Sequence, residues 1–185
     1  MRVTFTRLTG HRYAVDVVRD TGPPAGLRVS PGAGACLPRD IAHFVVEREF
    51  GLRLGIFGQL AAGGDAGTFR AAPADRDARL AHCAHRLQVT GRGDLGRSVA
   101  MVSICTAVWE FEAGRRFAPP DLRPYATAAS RSWGLVDVAD LPCDGVRRVV
   151  KEFEGVATTW NALGVRESLA FEWPAALTFV PRRSA

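Results

Sequence analysis

Lysine is nearly missing from this chain: Lys151 is the only one among 24 basic residues, and the rest are arginine. Arginine in place of lysine, alongside abundant Ala, Gly and Val, is what a GC-rich genome writes at tolerant surface positions. The net charge of +5 and the pI near 9.6 therefore reflect coding bias in part. Dense basic clusters are confined to Arg115-Arg116, Arg147-Arg148 and Arg182-Arg183. The remaining arginines are scattered among acids, unlike the contiguous stripe that grips a polyanion, so nucleic acid is not the expected partner. Also missing is any run near the ~20 apolar residues of a membrane span. The first residues, Met1-Arg-Val-Thr-Phe-Thr-Arg, alternate and lack the apolar centre of a signal peptide. A cytoplasmic protein without a membrane partner is expected.

Cysteine pairs are missing too. Cys36, Cys83, Cys105 and Cys143 are dispersed with no Cys-x-x-Cys, so neither a disulfide framework nor a zinc ribbon is indicated. Gly-x-Ser-x-Gly and His-Glu-x-x-His are absent, which removes the simplest hydrolase and metalloprotease signatures.

What is present is an ordinary globular composition, 47% hydrophobic and 23% charged over 185 residues, enough for one domain with its own core. Val3 and Phe5, then Tyr13, Val15 and Val17, alternate with polar neighbours around Thr9-Gly10, predicting an N-terminal hairpin. Residues 26–30 supply a short third strand. A helix is expected from Pro38 to about Phe50, stopped by Gly51, and a short buried one from Leu52 to Ala62. A third is expected from about Ala74 to Leu87. Val99 to Trp109 is apolar almost all round, the pattern of a central helix. Val146, Val149, Val150, Phe153, Ala157 and Trp160 recur at helical spacing, with Asp140 as N-cap and Gly164 as stop. Leu169, Phe171 and Trp173 alternate before Leu177-Thr-Phe-Val, predicting a C-terminal hairpin. The expected fold is α+β: an antiparallel sheet from both terminal hairpins, packed against a central group of about five helices within one domain, 1–185.

The most specific polar pattern lies on the first helix. Asp40, His43 and Glu47 fall at i, i+3 and i+7 and stack along one face. Two carboxylates flanking an imidazole can hold a divalent metal or form an acid/base pair, with Glu47 as base or ligand, His43 as ligand and Asp40 as orienter. Gln59 and Asp65 are candidate helpers. The same residues equally describe ordinary helix polarity, with Asp40 favouring the helix dipole and His43 with Glu47 an i,i+4 pair. His82 and His85 could add imidazoles but fall off the apolar face of their helix. Gly91-Arg-Gly-Asp-Leu-Gly96 matches Gly-x-Gly-x-x-Gly after a short strand-like run, 87–90. No second parallel strand with a ribose-binding acid follows, so it is read as a helix-linking loop. Cys36 lies ahead of the first helix, where a thiolate would be stabilised. Trp109, Trp133, Trp160 and Trp173 are expected mostly in the core.

The segments Leu37-Pro-Arg-Asp-Ile-Ala-His-Phe-Val-Val-Glu and Phe57-Gly-Gln-Leu-Ala-Ala-Gly-Gly-Asp-Ala-Gly-Thr-Phe resemble a family of small cytoplasmic proteins from GC-rich bacteria. The likeness spans residues ~37–70 and implies no activity. In that family histidine often stands where Arg39 does, giving His-Asp-x-x-His, and the arginine departs from this pattern. Two functions follow from the sequence: a binding or interaction protein with a protein or small-molecule partner, or a metal-dependent or acid/base hydrolase-like enzyme centred on Asp40, His43 and Glu47.

Overall fold

The computed structural model describes residues 1–20, 25–32, 37–69, 78–122 and 142–180. Asp140, Cys36, Trp133 and the start of the third helix at Ala74 lie outside them. Strands β1 (Arg2–Arg7), β2 (Arg12–Val18) and β3 (Arg28–Pro31) precede helices α1 (Arg39–Glu49), α2 (Ile56–Ala61), α3 (Ala78–Thr90), α4 (Arg92–Glu112) and α5 (Cys143–Ala162). Strand β4 (Ser168–Glu172) and a 3₁₀ turn, Ala175–Leu177, follow. The four strands form one antiparallel sheet in the order β3-β2-β1-β4. The fold is α+β, as expected.

The period-two alternation places Val3, Phe5, Tyr13, Val15 and Val17 on the buried face. Strand β4 enters beside β1, with Phe5 opposite Leu169 and Val3 opposite Phe171. The C-terminal segment thus contributes one strand and not the expected hairpin. Pro174, extended at φ −62°, leads into the 3₁₀ turn instead, and a proline at this point offers no N–H to a returning ladder. An aromatic cluster joins sheet to helices: the Phe44 ring lies 5.1 Å from Phe57, 5.2 Å from Phe171 and 5.6 Å from Trp173, while Phe5 lies 5.8 Å from Phe171. Such edge and tilted pairs each add about 1 kcal/mol beyond area burial.

The helix enclosed on every side is α1, whose residues Asp40 to Glu47 are all buried, whereas α4 leaves Val99 and Phe111 exposed. Helix α1 packs against α2, α4 and α5, and Arg48 and Glu49 tie it to α5 through Glu152 and Arg148. The strand-like run 87–90 is helical, the last turn of α3. Gly91 is the single residue between α3 and α4.

Candidate functional site

The polar stripe of α1 is a buried structure and not a solvated face: Asp40 is 7%, His43 3% and Glu47 0% exposed. Its geometry begins at the end of α1. There Gly51 adopts φ +64°, the Gly51 N–H bonds the Arg48 carbonyl and the Leu52 N–H bonds the Glu47 carbonyl at 2.8 Å. This is the paired closure that a left-handed residue gives a helix C-terminus. It turns the chain back so that the first residues of α2 descend on the Glu47 side chain. The Ile56 N–H donates to Glu47 Oε1 and the Phe57 N–H to Oε2, each at 2.8 Å. Gly55 permits that approach, since a Cβ there would collide with the Glu47 carboxyl group. Across the gap, Asp94 of α4 accepts the Leu54 N–H at 3.0 Å.

Ser98 of α4 completes the arrangement. Its hydroxyl donates to Glu47 Oε1 at 2.7 Å and lies 2.7 Å from His43 Nδ1. A serine hydroxyl carries one hydrogen. Once that hydrogen is directed to Glu47, His43 Nδ1–H must be the donor to Ser98. The expected direct His43–Glu47 pair is therefore bridged, with Nδ1 and Oε1 held 4.0 Å apart. Burial pushes the Glu47 carboxyl up to about 7, against the hydrogen bonds from Ser98, Ile56 and Phe57 that favour its ionised form. Burial drives His43 the other way, to about 4, assisted by the charges of Arg39 and Arg28 and opposed by Asp40. No local signal singles out Ser98, which sits 55 residues from His43. Its one mark was a hydroxyl at the head of an apolar helical run.

Asp40 belongs to a separate cluster. Its Oδ2 accepts the Tyr13 hydroxyl at 2.7 Å and pairs with Arg28, and Arg28 also lies over the Phe69 ring at 4.6 Å. Burial, then the neighbouring charge of Asp40, raises the Tyr13 phenol well above its ordinary range. The i, i+3, i+7 spacing thus does not assemble the anticipated ligand set. The first turn of α1 faces the sheet and the last faces α2 and α4, so Asp40 and Glu47 are drawn to different partners. Among the described residues no three His, Cys, Asp or Glu side chains meet in a group able to hold a metal. His82 and His85 project from the exposed side of α3 and do not join His43. Of the two proposed helpers, Gln59 is fully buried and donates to the Leu54 carbonyl at 2.9 Å. Asp65 accepts the Gly67 N–H and the Gln88 amide, shaping the turn after α2.

Functional groups open to solvent gather elsewhere. Residues His82, Cys83, Arg86, Leu87 and Thr90 of α3, at i, i+1, i+4, i+5 and i+8, form one side of a groove of about 630 Å³. Arg53, Phe179 and Val180 form the other side. Arg53 is fixed there by donating to the Thr178 carbonyl at 3.0 Å. No helix among the described residues is long and apolar enough to cross a membrane. Trp109, Trp160 and Trp173 are buried, as expected of packing residues. Compared with family models, curated proteins and solved structures, the chain matches none.

Proposed function

We propose that this is a cytoplasmic binding protein whose ligand occupies the groove between α3 and residues 178–180, with the α1 stripe serving to hold the helices together. One contrast supports this reading. Glu47 and Ser98 are both fully buried and Glu47 already accepts three hydrogen bonds, whereas the groove, in a volume ordinary for small-molecule sites, presents His82, Arg86 and Thr90, whose side chains bond no described residue. The dispersed ion pairs Arg48–Glu152, Arg148–Glu49, Arg147–Asp144 and Arg116–Glu110 support the same view of the surface. They neutralise arginines that a nucleic-acid interface would leave free.

Amide NMR of labelled protein, titrated with a panel of anionic, cationic and neutral small molecules, tests the proposal. Shifts concentrated on residues 82–90 and 178–180 are the expected result. Shifts centred on residues 43–47 and 98 would instead favour acid/base chemistry at Glu47 and sink the binding-groove reading.

A further inference from the structure

We infer that the groove selects an anionic amphiphile, a carboxylate or phosphate head on a short aliphatic body, an inference resting on the binding role proposed above. The lining divides by chemistry. Arg53, His82 and Arg86 supply the polar rim, and among the described residues no carboxylate lines the groove. Arg86 forms no ion pair with any described residue. Arg53 uses one guanidinium nitrogen on the Thr178 carbonyl and keeps other donors. Guanidinium groups match carboxylate and phosphate oxygens with paired N–H donors. A cationic head would meet only like charge among the described charged groups of the lining.

The apolar part of the lining is equally defined. Leu87, 4% exposed, forms the floor, and half-buried Cys83 and Phe179 flank it. Val180 stands 76% exposed at the margin. An aliphatic body laid along Leu87 and Phe179 would cover Val180 and remove apolar surface from water, at about 25 cal/mol per Å². The helical row His82–Arg86 runs beside the row Cys83–Leu87–Thr90, so head and body of one ligand would contact neighbouring stripes of the same helix. A free inorganic anion would leave the second stripe wet, and a neutral detergent would leave the first unpaired.

The test uses the full chain and five probes below their micellar concentrations: octanoate, octyl phosphate, inorganic phosphate, octyltrimethylammonium and octyl glucoside. Affinity is read by calorimetry and location by amide shifts. Octanoate or octyl phosphate should bind at residues 82–90 and 178–180, at least tenfold tighter than inorganic phosphate, and the tighter of the two identifies the head group. Arg86→Glu, at an exposed position, should weaken that binding at least tenfold while its melting temperature stays that of the parent. Equal binding of octyltrimethylammonium or octyl glucoside in the groove would overturn the anionic class and leave the binding role standing. Inorganic phosphate binding as tightly as the octyl compounds would overturn the aliphatic part. Silence from every probe across the groove would overturn this inference, and if the wider panel is silent as well, the binding role falls with it.

Discussion

Glu47 and His43 lie one turn apart, share Ser98, and are displaced in opposite directions by the same dry surroundings. With its carboxyl raised from the ordinary 4.5 to about 7, Glu47 binds its proton more tightly in the folded chain. Its contribution to stability is present below pH 4.5 and is lost as pH rises toward 7. His43, lowered from 6.5 to about 4, favours the neutral ring in the fold, so its contribution is present above pH 6.5 and is lost as pH falls toward 4. Each slope is limited to about 1.4 kcal/mol per pH unit, and the two oppose each other over the shared window. Their joint effect between roughly pH 4.5 and 6.5 should be nearly flat. His43→Gln should expose the Glu47 slope, so that stability measured by urea unfolding falls as pH rises from 4.5 to 7. Curves parallel to the parent's would show that the His43 imidazole takes up its proton at the same pH in the folded chain as in the unfolded one. Glu47→Ala should be costlier at any pH, because it orphans the donors of Ile56, Phe57 and Ser98. At about 1 kcal/mol or more per buried unpaired group, a loss near 3 kcal/mol is expected in the same assay.

At the scale of elements, the Gly-x-Gly-x-x-Gly match tests whether a motif means a phosphate loop or a tight joint. A Cβ on Gly91 would lie 2.7 Å from Gln59 Nε2, pressed against the floor beneath α2, while one on Gly93 would meet nothing within 4 Å. Gly91→Ala should therefore cost about 2 kcal/mol through overpacking, and Gly93→Ala, inside the first turn of α4, should be neutral or gain up to about 1 kcal/mol. Thermal melts of the two variants give the comparison, and equal damage from both would contradict the packing account. The helices were legible where periodicity and punctuation agreed: Gly51 ended α1, and the valines and aromatics of α5 drew its buried face. Helix α2 shrank to Ile56–Ala61 because Leu52 to Gly55 were recruited to bridge Glu47 and Asp94, a tertiary demand that no local pattern announces. Ile41, Phe44 and Val45 set the α1 stripe beside the core, but its complete burial was hidden for a similar reason. The charges of Asp40 and Glu47 suggest an exposed face until Tyr13, Arg28 and Ser98, distant in sequence, are seen to satisfy them.

Across the whole molecule, β1, like β2, has neighbours on both sides, and Phe171 of β4 links β1 to α1 through Phe5 and Phe44. Phe171→Ala should cost about 3 kcal/mol and lower hydrogen-exchange protection of the β1 amides more than that of β3. Protection falling uniformly across the sheet would instead indicate that β4 opens only with global unfolding. The alternation at both ends of the chain predicted that these segments are strands, but pairing partner and strand order depend on contacts across the whole length. Strand β1 therefore leaves a ribosome well before β4, one of its two partners. With roughly 160 residues between them and synthesis at about 5–20 residues per second, one edge of β1 stays unpartnered for on the order of ten seconds or longer. A nascent chain stalled before Ser168 should remain protease-sensitive in β1, making this strand pair the step most exposed to chaperones during biogenesis.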